Sequence, residues 1–350
     1  MIARAGRASA SRAAKVVGTL AVTGLCIAYL VWKIDLGRTT DVLAATQPTY
    51  LIGALAIFLV SVPPVAWRWR RLLAARGVYE DMRWLTRTYL VSNAAAQVLP
   101  TSLGGDAVRI FEGQRRHPGR RAAFTGSVLL ERAVGGVATL ALAAAGFLIA
   151  IGRYDMGPYL WIEGVLVVAA TVAGFLVFAQ PARGMLALIV PAMRIVRLER
   201  PLRAAYEAVH SYRRNPGLLL WVLGLTVVVQ SFRILAIWLV GKSVGVDLSP
   251  RPYYVMGPML FLVMLVPFTI NGVAVREAFF VSFLGKLGVN ADAAFATGFL
   301  FFLLSTAAAL PGAALIVAEA AGFARFTRCA ETLVVRLQGD PAGRANRKRR

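Results

Sequence analysis

The sequence is short of charge. Only 16% of its 350 residues are Asp, Glu, Lys or Arg, where a soluble domain carries about a quarter. With 58% apolar residues and a mean hydropathy of +0.65, a water-soluble core cannot absorb the apolar excess. Cysteine occurs twice, Cys26 in an apolar run and Cys329 in a basic tail, which argues against a disulfide framework or a thiolate metal site. Histidine also occurs twice. His117 and His210 each stand alone in a basic stretch and are expected to be solvated, so neither a metal nor another cofactor is expected. Hydrolase, zinc-protease, Walker A and dinucleotide signatures are all absent, so no catalysis is expected. The net charge of +22 comes from short basic clusters lying between apolar runs. With no DNA- or RNA-binding motif present, nucleic acid is not an expected partner.

What is present is long apolar runs. Membrane crossing takes about 20 apolar residues in a helix, and six runs qualify: Val16–Trp32, Tyr50–Trp67, Ala122–Ile151, Pro158–Ala179, Pro216–Gly241 and Ala291–Ala320. The first follows Arg4, Arg7, Arg12 and Lys15 and ends on Lys33-Ile34-Asp35-Leu36 without a small-residue cleavage site, so an uncleaved signal anchor is expected. Arginine crowds alternate loops: Arg68–Arg87, Arg115–Arg121, Arg183–Arg214 and the tail from Arg325 to Arg350. Cytoplasmic loops hold the excess of Lys and Arg. Six crossings with both termini in the cytoplasm put every basic loop on that side, and an inner (plasma) membrane is the expected location.

Two further apolar stretches begin and end on one side in this scheme, Leu85–Arg109 and Tyr253–Leu287. Each breaks centrally, at Leu99-Pro100-Thr101-Ser102-Leu103-Gly104-Gly105 and at Val266-Pro267-Phe268-Thr269-Ile270-Asn271-Gly272. Proline removes a helical hydrogen bond and glycine loosens the backbone. Irregular backbone at membrane depth must be buried in protein or line a wet cavity. Two re-entrant helical hairpins are therefore expected, one from each face. The breaks also repeat. Pro100 and Pro267 are 167 apart (267 − 100), as are Gly105 and Gly272 (272 − 105) and Arg109 and Arg276 (276 − 109), with Ala-Val-Arg recurring intact. Three crossings per half invert the second half relative to the first, as in secondary transporters. The predicted fold is thus all-α and polytopic, a single membrane domain over 1–350. Its halves are 1–151 and 158–322, followed by a basic cytoplasmic tail at 323–350.

Ionisable residues at membrane depth are costly and mark function by default. The candidates are Asp106 and Arg109, with Glu112 on the same helical face; Arg276 and Glu277; Glu131 and Arg132; and Arg233 with Gln230. Asn93 and Gln97, before the first break, are candidate lining residues. One reading is a partly wet cleft in which Arg109 and Arg276 fork onto a lipid phosphate, with half-helix N-termini aimed at the anion. Glu131 would then organise Arg132 or meet a cationic headgroup, and Gly104, Gly105 and Gly272 would let the backbone approach. The other reading is structural: Glu131 with Arg276, or Arg132 with Glu277, as ion pairs between helices.

The run Asn93…Leu99-Pro100-Thr101-Ser102-Leu103-Gly104-Gly105-Asp106…Arg109, then Leu129-Leu130-Glu131-Arg132, resembles the lysylphosphatidylglycerol synthase transmembrane (flippase-like) family. So does Gly272-Val273-Ala274-Val275-Arg276-Glu277-Ala278. The resemblance covers nearly the whole chain and implies movement of a charged-headgroup lipid between leaflets, with membrane lipids and envelope-lipid biosynthesis enzymes as partners. An accessory subunit or embedded transferase for envelope glycolipids is the alternative it leaves, and a non-transporting scaffold is another. Two departures stand out. The chain ends about thirty residues after its last run (350 − 320), so aminoacyl transfer is not expected. The last run also carries Leu303-Leu304-Ser305 where the resemblance leads one to expect an arginine.

Overall fold

The computed structural model describes residues 25–98, 104–152, 215–265 and 274–337, with scattered positions at 158–168, 212 and 272. All regular structure among them is helical. In chain order the helices are α1 (residues 25–33), α2 (Leu36–Ala44), α3 (Pro48–Val60), α4 (Val62–Ala74), α5 (Met82–Val98), α6 (Gly104–Arg116), α7 (Arg121–Ala150), α8 (Pro216–Ser243), α9 (Arg251–Leu265), α10 (Val275–Lys286) and α11 (Ala291–Leu337).

Four of the six expected crossings stand as helices long and apolar enough to span a bilayer: Pro48–Ala74, Arg121–Ala150, Pro216–Ser243 and Ala291–Glu319. Their apolar side chains largely face outward. Ile52, Val60, Leu148, Leu220 and Val317 are each about 70% exposed, an arrangement that only a lipid solvent tolerates. The protein is a multi-pass integral membrane protein. Of the other two expected crossings, Val16–Trp32 is described only from residue 25, and Pro158–Ala179 lies mostly outside the described residues.

The second crossing is longer than its apolar run, reaching Ala74. Pro63 and Pro64 have no N–H to give the preceding turn, and α3 meets α4 at Ser61, whose hydroxyl donates to the carbonyl of Phe58 (2.7 Å). Helix α4 then carries Arg68, four residues past Pro64 (68 − 64), into the core instead of a loop. Its buried stripe is Val65, Ala66, Arg68, Trp69, Leu72 and Leu73.

Helices α5 and α6 form an antiparallel hairpin. Ser92 faces Gly105, Tyr89 faces Arg109 and Glu80 faces Arg116. As one number falls the other rises, so the chain reverses between 98 and 104. The approach is close: a β-carbon on Gly105 would lie 2.6 Å from the carbonyl oxygen of Ser92. Helices α9 and α10 flank the second break. There Ala274 takes a positive φ of 68°, and its N–H is held by the Glu277 carboxylate at 2.7 Å.

Helix α11 joins the two broken regions. Gly298 packs on Phe280 of α10, and the Phe302 ring lies against Arg276. Farther along, the carbonyl of Ser305 accepts from Gln97, Gly312 abuts the backbone of Leu90, and Glu319 pairs with Arg87. Described residues flanking the two breaks, Gln97 and Arg276, thus lie against one stretch of α11, Phe302–Ser305, close to the centre of its apolar span.

Candidate functional site

Buried charge concentrates where α4, α5, α6, α7 and α8 meet. Glu131 of α7, 5% exposed, is its hub. Its carboxylate accepts from Arg109 Nη1 at 2.5 Å, from Arg68 Nε at 3.2 Å and from the Tyr89 hydroxyl at 2.8 Å. Arg109 also donates through Nη2 to Asp106 Oδ1 at 2.8 Å and through Nη1 to Tyr89 Oη. Arg68 Nη1 reaches the Thr226 hydroxyl on α8 at 2.7 Å. Toward the outside, Arg132 pairs with the second oxygen of Asp106.

Aromatic rings wall this network. The Arg109 guanidinium lies 4.4 Å from the Tyr89 ring centroid and 5.2 Å from that of Trp69. Trp69, itself fully buried, donates to Ser127 at 2.9 Å. In so dry a setting, charge-assisted hydrogen bonds are strong and a broken one leaves an expensive orphan.

The network continues toward the middle of the membrane. Arg68 meets Thr226, and seven residues away on both helices (68 − 61, 233 − 226) Arg233 meets Ser61 at 3.5 Å. The antiparallel pairing of the α3–α4 crossing with α8 makes these two rungs, on the order of 10 Å apart at 1.5 Å per residue. The Arg233 guanidinium also rests 5.8 Å from the Phe58 ring centroid. Deep in the cluster, Nε of Arg109 and Nε of Arg233 have no acceptor among the described residues.

Arg276 stands apart. It is 2% exposed and forks onto its own neighbour, Glu277, through Nη2 (2.6 Å) and Nε (3.0 Å). The other Glu277 oxygen is committed to the Ala274 N–H. Arg276 sits beside Phe302, whereas Tyr89, which carries Arg109, adjoins Leu90 opposite Gly312. That is ten residues along α11 (312 − 302), or on the order of 15 Å. The structure does not present one clamp built from both arginines.

The structure thus brings together Asp106, Arg109, Glu131 and Arg132, places Arg233 on the next rung, and keeps Arg276 and Glu277 as a separate pair. The structural pairings of Glu131 with Arg276 and of Arg132 with Glu277 do not form. Glu131 organises Arg109 and Arg68, not Arg132. Asn93 lies half-buried on α5, one turn before Gln97. Gly104 and Gly105 are buried in the first turn of α6, and Gly272, at φ 70°, packs against Met264. Pro100, Pro267 and Asn271 lie outside the described residues.

Sequence reasoning missed Arg68, Tyr89 and Thr226. Arg68 was counted with the loop cations; the usable signal was its position on the apolar stripe with Val65, Trp69 and Leu72. His117 is also not simply solvated, since its ring meets Glu80 at 2.6 Å and stacks on Phe124. Glu80 and Arg116 close the open end of the hairpin at 2.7 Å. Beside them a cavity of about 650 Å³ is lined by Arg83, Trp84, Arg87, Glu112 and Arg115.

Comparison with known proteins supplies two findings. The family model described as lysylphosphatidylglycerol synthase TM region matches residues 16–312. A protein named glycosyltransferase AglD, from Haloferax volcanii, is 28% identical over 144 residues, covering 39% of this chain and 23% of that protein. The match therefore spans about a quarter of the relative's length.

Proposed function

The chain belongs to the lysylphosphatidylglycerol synthase TM region family, and from that premise we propose that it translocates an anionic, phosphate-bearing lipid across the bacterial inner membrane. The observation that carries this reading is the run of arginines, buried Arg109 and Arg68 and half-buried Arg233, leading from the α5–α6 hairpin toward the centre of the crossing. Each guanidinium can fork onto phosphate oxygens, and the rungs divide the crossing into steps short enough for one headgroup. The packing of residues beside both breaks, Gln97 and Arg276, on one stretch of α11 supports a reading in which alternating access turns on that stretch. Apolar flanks at Val60, Val228 and Phe232, each at least half exposed, would carry the lipid tails in the bilayer. In this reading both hairpins are re-entrant, the arginine-rich loops and both termini are cytoplasmic, and the chain does transport, not catalysis.

The test is leaflet-resolved lipid movement in proteoliposomes. Arg109→Lys keeps the charge but loses the two-pronged fork, and is expected to slow movement at least tenfold while the protein stays folded. Movement no faster than in empty vesicles for every lipid tried would sink the reading.

A second reading has one observation behind it, the glycosyltransferase-named relative. In that reading the chain is an accessory subunit, or an embedded transferase, in envelope glycolipid synthesis. Co-purification with a glycosyltransferase, together with no lipid movement by the isolated chain, would favour it.

A further inference from the structure

Helix α11 carries a proline inside its membrane span. Pro311 stands within the crossing Ala291–Glu319 and is exposed. With no N–H to give, it leaves the carbonyl of Ala307 (311 − 4) without its helical donor, and lipid offers no water in its place. The neighbouring hydroxyl does not take over, because Thr306 Oγ1 is buried with no partner. Two adjacent residues thus hold idle polar groups in mid-helix, and proline is the commonest cause of a sharp bend in a helix.

The contacts of α11 divide at that proline. Before it, the Asp292 carboxylate accepts from the Asp35 N–H at 2.7 Å and the Thr39 hydroxyl at 3.3 Å, around the start of α2. Gly298 packs on Phe280, Phe302 lies on Arg276, and Leu304 joins Ala54, Ala236 and Val240 of α3 and α8. Past it, Gly312 abuts Leu90 and Glu319 pairs with Arg87, both residues of α5. That ion pair is half-exposed and therefore weak, and Arg87 also lines the cavity of about 650 Å³. Buried groups anchor the first part of the helix, whereas the outer end of the second is held at the surface.

We infer that α11 hinges at Pro311, and that residues 312–319 swing away from α5 while residues 291–305 stay fixed. The eight residues past the proline (319 − 311) form a lever of roughly 12 Å at 1.5 Å per residue. Its swing opens a side entrance to the buried network, because Leu90, which Gly312 covers, adjoins Tyr89, and Tyr89 holds Arg109. The entrance rests on the translocation reading; the hinge does not.

The test follows distance and movement in the full chain, with Cys26 and Cys329 replaced by serine. Spin labels at Tyr79→Cys and Val317→Cys, both exposed positions, report on the outer seam in lipid nanodiscs. A second pair, Leu220→Cys with Leu303→Cys, reports on the fixed part. The outer pair should give two separated distances and the second pair a single one. Pro311→Ala restores the missing N–H and should merge the outer distances into one, while Pro311→Gly keeps a soft joint and should keep both. In vesicles, a short reducible cross-link between Arg87→Cys and Glu319→Cys should slow lipid movement about tenfold, and reductant should restore it. A single outer distance in the parent chain, two that survive Pro311→Ala, or an equal spread at the second pair overturns the hinge. Lipid movement that the cross-link leaves untouched overturns the entrance and spares translocation. Two outer distances without movement of any lipid keep the hinge and defeat translocation.

Discussion

The two breaks carry the same Ala-Val-Arg triplet, yet the arginines end in different company. Arg109 is bonded to groups from α5 and α7 and lies against rings of α4 and α5, whereas Arg276 is satisfied by the next residue in the chain. The difference lies in position on the helix. Arg109 stands more than one turn inside α6, on the face that α5 and α7 cover. Arg276 is in the first turn of α10, where Glu277 is already bent back to hold the Ala274 N–H. A repeated sequence can therefore place one arginine in a shared network and close the other on itself.

The sharpest way to break this comparison is to neutralise the two acids in turn. Glu131→Gln removes the counter-charge of both Arg68 and Arg109 and should lower stability by about 3–5 kcal/mol, read as a fall in the unfolding midpoint in detergent. Glu277→Gln strands one arginine and should cost less, about 2 kcal/mol. Equal losses would mean the two sites are energetically alike and the asymmetry drawn here is wrong.

Next in size is the seam that ties the first hairpin to α11. A β-carbon at Gly312 would come within 1.9 Å of the Leu90 carbonyl oxygen, so Gly312→Ala must push α5 and α11 apart, at about 1–3 kcal/mol. Gly285→Ala, which meets nothing within 4 Å, serves as the control. A similar midpoint for the two variants would show that the seam is loose.

The strain at the second break gives a smaller effect of opposite sign. Ala274 at φ 68°, ψ −41° occupies backbone space costly for any side chain, so Ala274→Gly should stabilise by about 1 kcal/mol. A loss of stability there would mean the alanine methyl contributes more than the strain takes. Smallest of all is Arg87→Ala. It breaks the half-exposed pair with Glu319 (side chains 30% and 50% exposed) and should cost under about 1 kcal/mol, fading further in high salt. A loss as large as that of Glu131→Gln would make this outer pair a latch.

Much of this was legible in the chain because lipid as solvent imposes simple rules. Helices of about 20 apolar residues must cross, and stretches such as Leu99–Gly105, rich in proline and glycine, are expected to interrupt them. Of the candidate residues, Asp106, Arg109, Glu131 and Arg132 were readable as costly charges near breaks, and they do meet. Arg68 was not readable as their partner. A cation at the end of an apolar run looks like any interfacial anchor until the packing of α4 against α7 and α8 turns its stripe inward. Tyr89 and Thr226 carry no formal charge, so nothing in composition separates them from ordinary helix residues.

Sequence by itself therefore determined the solvent and the helical class, because these follow from local hydropathy and backbone chemistry. Which carboxylate answers which guanidinium was decided only by tertiary structure. A side chain reaches a few ångströms, and residues 63 and 158 positions apart, as Arg68 is from Glu131 and Thr226, come within that reach only once the helices are packed.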